Sequence, residues 1–189
     1  LSTYKPESEI SEVNEEAASR PVKVGPDFLT VLAASRVYYE FRGGAFDPSI
    51  KPLMDLWREA RRQDRLPTEE ELQQATALVD FSKVAVNEAA GTVRFLQAGM
   101  ALDFGGIAKG YAADRAIEGL KEHAVERAII DAGGNFYALG TPEDRPQWET
   151  GVRHPLRQNE VIMRFPVSDK GVATSGSYEI YYDREKLFH

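Results

Sequence analysis

A short segment between residues 103 and 109 combines residue types that could hold an anion. Asp103 ends a mostly apolar stretch, Gly105 and Gly106 follow it, and Lys109 comes three residues later. Glycines let the backbone turn where side chains would clash, and a helix beginning near Ile107 would offer unpaired N–H groups and partial positive charge. Such a helix start is suited to phosphate. Lys109 there is mildly unfavourable for the helix dipole unless an anion lies close by, so the pattern favours a phosphate site.

This pattern is not a specific motif. It is neither G-x-G-x-x-G nor G-x-x-x-x-G-K-[ST]. A tight turn followed by a helix with a solvated lysine explains the same residues at least as well.

The segment requires elements that position it. The sequence predicts a strand over residues 100–104 and a helix from Ile107 to about His123, and a buried strand over 127–131. The spacing in that helix predicts the following buried residues: Ala108, Tyr111, Ala112 and Ala116. Gly133 and Gly134 permit positive φ before a strand over 135–139.

Further elements are predicted along the chain. Four helices are expected: one after Ser8, one from Pro26 to the glycines at 43–44, one from Ile50 until a solvated charged run over 58–65, and one from Thr68 to about Leu78. The second helix has an apolar face, which consists of Phe28, Val31, Leu32, Ser35, Tyr38 and Tyr39. Strands are expected over 22–24, 84–86, 92–95, 161–165, 171–175 and 178–182, with a polar loop over 142–160. This order predicts an α+β fold with a mainly antiparallel sheet and packed helices, in one domain over residues 1–189.

Composition narrows the class of protein. The 189 residues are 42% hydrophobic and 28% charged, with a net charge of −7 and no cysteine. These values are typical of a globular domain, argue against nucleic acid as a partner, and exclude disulfides and thiol chemistry. No signal peptide or long apolar run is visible.

Asp47 is a second candidate for a binding residue. Pro48 holds it in an extended conformation in the loop Ala45-Phe46-Asp47-Pro48. Its carboxylate could bind a ligand hydroxyl or ring N–H, or it could cap the next helix.

Four stretches of the chain together resemble the ApbE family of flavin transferases. They are residues 103–114 (DFGGIAKGYAAD), residues 2–4 with 8–10, residues 44–48 with 52–53 and 56–57, and residues 131–135 with 174–178. Members of this family move FMN from FAD onto a protein threonine with Mg²⁺. The resemblance spans nearly the whole chain.

The resemblance implies a set of site residues. The residues expected to contact FAD are Tyr4, Ala45, Phe46, Asp47, Asp103 and Lys109, and the carbonyl of Gly106 is expected to ligate Mg²⁺. An aromatic residue at the position of Tyr4 would stack on the flavin. Lys109 would contact either the diphosphate or the adenosine part, because some family members carry Glu there.

The implied reaction is phosphoryl transfer. A threonine hydroxyl of an acceptor flavoprotein, such as a subunit of a redox-driven pump, attacks the flavin-side phosphate and AMP leaves. His189 lies where a histidine-containing family segment should begin, and the catalytic base stays unassigned. An Asp and a Thr that complete the family's Mg²⁺ site belong to a later segment. Because the chain begins at Leu1, within a family motif, we expect truncation at both ends.

The resemblance also implies a location, and other functions stay open. Family members are commonly found in the bacterial cell envelope, on the periplasmic side of the inner membrane, through a lipid anchor that would lie outside this chain. One alternative is a noncatalytic nucleotide-binding βαβ module in which Asp131 binds a ribose hydroxyl and strands 100–103 and 127–131 are parallel. Others are an inactive fragment of the family, and a flavin-dependent assembly or storage protein.

Overall fold

The computed structural model describes residues 1–154, 157 and 159–175. Contacts between Cα atoms divide the chain into two compact units, residues 1–108 and 109–189, and each unit is described by itself. The single-domain assignment stays a prediction. The strand expected over 178–182 and the residue His189 lie outside the described residues.

The first unit packs four helices with a small sheet. The helices are α1 (Glu9–Glu16), α2 (Pro26–Phe41), α3 (Lys51–Arg62) and α4 (Glu69–Thr76), followed by a 3₁₀ turn at Phe81–Lys83. The strands β1 (Val22–Lys23), β2 (Val84–Asn87) and β3 (Thr92–Phe95) form an antiparallel sheet in the order β1-β3-β2. The predicted helices and the hairpin are therefore confirmed.

Side-chain caps explain where two of these helices begin. The hydroxyl of Ser8 accepts a hydrogen bond from the Ser11 amide at the start of α1. At α4, Thr68 and Glu71 form a complete capping box, in which each side chain satisfies the other's backbone N–H. Two N–H groups that lack helical partners are thereby satisfied, as the sequence predicted.

The stretch over 100–104 differs from its prediction, because it is not a regular strand. Only an isolated parallel bridge joins Ala101 to Ile50. The amide of Asn14 takes the place of a neighbouring strand, since it donates to the Leu102 carbonyl at 2.9 Å and accepts from the Leu102 N–H at 2.6 Å. The apolar side chains still enter the core, where the Phe28 and Phe104 rings meet edge to face with centroids 5.1 Å apart.

Two details of the helices also differ. Helix α3 continues to Arg62 into the charged run that was predicted to end it, because charged pairs such as Glu59 with Arg62 lie one turn apart on its exposed face. On α2, Phe28 and Ser35 are buried as predicted, whereas Tyr38 is 53% exposed.

The second unit contains α5 (Ala108–Glu122, whose first residue belongs to the first unit) and two antiparallel sheets. One sheet has the order β4-β5-β8, with β4 (Ala128–Asp131), β5 (Phe136–Leu139) and β8 (Lys170–Val172). The other pairs β6 (Trp148–Arg153) with β7 (Val161–Val167). Gly133 and Gly134 have φ of 67° and 84°, as expected for the turn between β4 and β5.

Three predictions in this unit were wrong. Residues 148–153 form β6 rather than a loop, because β7 supplies an antiparallel partner. Strand β4 is only half covered, with Ile129 47% exposed. Helix α5 buries Ala113 and Ile117, while Ala112 and Ala116 are exposed. The Ile117 side chain carries more apolar area than either alanine, so the face that contains Ile117 is the one that is buried.

The sheets confirm the α+β class and exclude the doubly wound alternative. Strand β4 pairs with β5 in an antiparallel manner, and residues 100–103 provide no strand for a parallel unit. Among the described residues, no helix is both long enough and apolar enough to cross a membrane.

Candidate functional site

A cleft of about 760 Å³ lies within the first unit. Its walls come from the end of α2, the loop before α3, α3 itself, the end of α4, the 3₁₀ turn and the glycine turn after residue 103. The lining residues are Tyr39, Gly44, Ala45, Phe46, Asp47, Pro48, Ile50, Met54, Thr76, Ala77, Val79, Asp80, Lys83, Asp103, Gly105 and Gly106.

The cleft brings together five of the seven residues predicted from the sequence: Ala45, Phe46, Asp47, Asp103 and Gly106. Tyr4 is not among the lining residues. It is 81% exposed, and the Arg58 guanidinium lies 5.9 Å from its ring centroid. Lys109 is exposed in the first turn of α5, in the second unit. The binding roles of all seven residues stay predictions.

Asp47 ties two segments of the cleft wall together. One carboxylate oxygen accepts from the amide and the hydroxyl of Ser49 at 2.7 and 2.6 Å, and the other accepts from the Phe81 amide at 3.2 Å. It does not cap α3, whose N-cap residue is Ile50. A carboxylate offers about four acceptor positions, so one remains on the second oxygen for a ligand.

Asp103 shapes the glycine turn. Its Oδ1 accepts from the Gly105 amide at 2.6 Å, and its Oδ2 accepts from the Thr3 hydroxyl at 3.2 Å. The Asp103 amide in turn donates to the Pro48 carbonyl at 2.8 Å. The aspartate therefore caps the turn that follows it and joins this turn to the loop that carries Asp47.

Aromatic rings give the cleft a flat apolar side. The Tyr39 and Phe81 rings meet edge to face at 5.6 Å, and the Phe46 ring meets Tyr38 in the same way at 6.2 Å. A Cβ atom added at Gly106 would lie 3.1 Å from Cε2 of Phe46. Glycine at 106 therefore lets the turn approach the ring.

Sequence reasoning missed two polar residues of the cleft, Asp80 and Lys83. The Lys83 ammonium donates to Oε1 of Gln97 at 2.6 Å and lies 3.3 Å from Oδ2 of Asp80. Hydrogen bonds from Ser82, with the nearby Lys83, lower the pKa of Asp80 below its usual range. The only signal in the sequence is an Asp two residues before a Ser, a common turn pattern that does not point to a ligand.

The side chains that could ligate a metal bear on the predicted Mg²⁺ site. Among the described residues, no three His, Cys, Asp or Glu side chains cluster around a common point. Mg²⁺ commonly takes one or two carboxylates, waters and substrate phosphates rather than a full protein cage. Gly106 is exposed at the turn, and the role of its carbonyl as one ligand of Mg²⁺ stays a prediction.

Comparisons with known proteins identify the family of this chain. The sequence profile of the ApbE family matches residues 1–189. The chain is 33% identical to the FAD:protein FMN transferase of Treponema pallidum over 199 residues, covering 98% of this chain and 55% of that protein. It is 31% identical to one from Klebsiella pneumoniae over 191 residues, covering 100% of this chain and 58% of that protein.

Solved structures give the same result. The flavin transferase ApbE from Vibrio cholerae superimposes with a TM-score of 0.84 at 28% identity, over 94% of this chain and 58% of that one. The ApbE protein from Thermotoga maritima superimposes with a TM-score of 0.86 at 29% identity, over 96% of this chain and 60% of that one. The fold is therefore the one that these ApbE structures share.

The chain belongs to the ApbE family. It spans somewhat more than half the length of the relatives that it matches.

Proposed function

We propose that the protein containing this chain transfers FMN from FAD to a threonine hydroxyl of an acceptor flavoprotein and releases AMP. The observation that carries the proposal is the cleft, in which loop 45–47 and turn 103–106 come together from segments far apart in the sequence. The relatives named above carry the name FAD:protein FMN transferase.

The cleft has features that suit a dinucleotide with two ring systems. Its volume of about 760 Å³ falls in the usual range for small-molecule sites, which is about 300–1,000 Å³. Tyr39 and Phe46 offer aromatic surface on one side. Asp47, Asp80, Asp103 and Lys83 offer hydrogen-bonding groups on the others.

The reaction would proceed by displacement at phosphorus. The threonine oxygen forms a bond to the flavin-side phosphorus, the bond from that phosphorus to the bridging oxygen breaks, and AMP leaves with that oxygen. The hydroxyl proton passes to a general base, which none of the residues described above supplies by its position. Asp47 and Asp103 hold the loop and the turn, so they would orient FAD for this attack.

Mg²⁺, when bound, would offset negative charge on the diphosphate, with the Gly106 carbonyl as one of its ligands. Lys109 would add positive charge in the first turn of α5. Tyr4 would contact the flavin through its exposed ring.

The proposed setting follows from the same family relation. We place the protein on the periplasmic side of the bacterial inner membrane, held by a lipid anchor outside this chain. Its acceptor would be a flavoprotein such as a subunit of a redox-driven pump, and its net charge of −7 does not favour nucleic acid.

Transfer can be tested directly. The full-length protein is incubated with FAD, Mg²⁺ and an acceptor flavoprotein, and the products are analysed by chromatography for AMP and by mass spectrometry for FMN on threonine. An acceptor with that threonine replaced by valine is the matched control. Equal amounts of AMP and threonine-linked FMN are expected. FAD binding without either product would refute transfer and leave a noncatalytic binding protein.

A further inference from the structure

The Lys83 side of the cleft has a connected set of polar side chains that the proposed chemistry does not use. Gln97 accepts from Lys83 through Oε1 at 2.6 Å and donates through Nε2 to the Ala77 carbonyl at 2.9 Å. Both hydrogen-bonding groups of this amide are engaged, so its oxygen is fixed towards the ammonium. The ammonium position is therefore set by a side chain that is itself anchored to the end of α4.

Asp80 is fixed in a similar way. Its Oδ1 accepts from the amide and the hydroxyl of Ser82 at 3.1 and 2.5 Å. Its Oδ2 lies 3.3 Å from the Lys83 ammonium. An aspartate of ordinary pKa is already ionised at neutral pH, and the hydrogen bonds lower the pKa of Asp80 further, so Oδ2 is an acceptor there.

The two side chains thus present a donor and an acceptor next to each other. An ammonium has three N–H donors, and Gln97 and Asp80 occupy two of them. The Asp80 and Lys83 side chains are 31% and 40% exposed, and both line the cleft. Asp80 bonds only to residues within three positions of it, in contrast to Asp47, which reaches Phe81. A fixed, partly exposed donor–acceptor pair is suited to recognising a ligand.

We propose that Lys83 and Asp80 are specificity-determining residues that recognise the hydrogen-bonding edge of one heteroaromatic ring of FAD. This inference rests on the proposed function, because FAD is taken as the ligand. Two ring edges have the required chemistry. Adenine has a ring nitrogen acceptor beside an amino donor, and the flavin has an imide N–H between two carbonyl oxygens. With adenine, Lys83 would donate to the ring nitrogen and Asp80 would accept from the amino group. With the flavin, Lys83 would donate to a carbonyl oxygen and Asp80 would accept from the imide N–H.

The experiment measures dissociation constants of FAD, FMN and AMP by calorimetry for the full-length wild type and for Lys83→Met and Asp80→Asn. FMN and AMP both carry one phosphate but differ in their ring, so they separate the two sources of the edge. Lys83→Met is expected to weaken FAD binding about tenfold or more, as for the loss of a charge-assisted hydrogen bond. The same loss should appear for only one of the two mononucleotides, which identifies the ring.

Two further variants make the result specific. Lys83→Arg retains a cationic donor and should recover part of the affinity. Lys121→Met removes an exposed lysine from the last turn of α5 and should leave all three constants unchanged. Thermal unfolding of each variant checks that the fold is retained.

Unchanged FAD binding in a folded Lys83→Met protein would overturn the inference. So would equal losses for FMN and AMP, because these would point to the shared phosphate. Failure of the proposed function gives a different result, because the wild type would then transfer no FMN, whatever affinities the variants have for FAD, FMN and AMP. A wild type that binds no FAD would overturn both.

Discussion

Two polar regions of the cleft use aspartates differently. In the first region, Asp47 and Asp103 direct both carboxylate oxygens at groups of the protein itself, among them the amides of Phe81 and Gly105. In the second region, Asp80 holds the neighbouring Ser82 and Lys83, and its second oxygen lies beside a partly exposed ammonium.

This difference separates building the cleft from recognising its ligand. A carboxylate that satisfies part-buried amides, as Asp47 does, contributes to folding stability, and its loss leaves those amides without partners. A pair of fixed but partly exposed charges contributes little to stability, because water screens it. Substitutions of Asp47 or Asp103 in the first region should therefore change the free energy of unfolding. Substitutions of Asp80 or Lys83 in the second region should change the affinity for the ligand.

The largest effect is expected for Asp47→Asn. One carboxylate oxygen becomes an NH₂ donor, so either the Phe81 amide or the Ser49 pair faces a donor instead of an acceptor. We expect a loss of about 1–3 kcal/mol in the free energy of unfolding, measured by urea denaturation. Asp144→Asn, at an exposed pair with Arg145, is the control and should change stability much less. Equal losses of stability in Asp47→Asn and Asp144→Asn would remove the distinction between the two regions.

A smaller effect on binding is expected for Gly106→Ala. The added methyl group would lie 3.1 Å from Cε2 of Phe46 and displace the ring that lines the cleft. FAD affinity should fall about tenfold, which corresponds to ~1.4 kcal/mol, with a smaller change in the unfolding free energy. Gly119→Ala has no heavy atom within 4 Å of the added carbon and should not alter FAD affinity. Tight FAD binding by Gly106→Ala would exclude a ligand against this ring.

Lys109→Gln should change stability and binding in opposite directions. Removing a cation from the first turn of α5 relieves an unfavourable interaction with the helix dipole, by ~0.3–1 kcal/mol. If Lys109 contacts the diphosphate, FAD affinity should fall severalfold and depend less on salt. Lys121→Gln, in the last turn of the same helix, is the matched control and should be slightly destabilising. Unchanged affinity in Lys109→Gln would show that the lysine does not contact the dinucleotide.

The smallest effect is a pH dependence at the start of α4. Hydrogen bonds from Arg65, with a further one from the Thr68 amide, lower the pKa of Glu71 from 4.5 to about 2. Because the folded-state pKa is below the unfolded value, the contribution to stability is present above pH 4.5 and is lost as the pH falls towards 2. Thermal unfolding between pH 2 and 7 should show a smaller acid-induced decrease for Glu71→Gln than for the wild type.

Glu69→Gln, at an exposed position of the same first turn, is the control for this substitution. Identical acid profiles for the wild type and Glu71→Gln would mean that the capping box does not respond to pH. Helix α4 supplies Thr76 and Ala77 to the Lys83 side of the cleft, so its fraying at low pH should also weaken FAD binding.

Local signals were sufficient for most elements of the first unit. The caps at Ser8 and Thr68 and the hairpin around Gly91 depend on neighbouring residues, and all three formed where the sequence placed them. Predictions failed where a distant partner decides the structure. The Asn14 side chain occupies the backbone groups of Leu102 that a strand would have paired, and β7 turns residues 148–153 into a strand.

The same division applies to the cleft. Four stretches, with residues 44–48 and 103–109 among them, together indicated the family. The family resemblance then selected Ala45, Phe46, Asp47, Asp103 and Gly106, because motif residues are readable one segment at a time. That these residues share a cleft was not readable, since it depends on hydrogen bonds such as Asp103 N–H to Pro48 O between segments about fifty positions apart. Asp80 and Lys83 became visible only in the folded chain, because a side chain acquires a fixed donor or acceptor direction only when its neighbours hold it there.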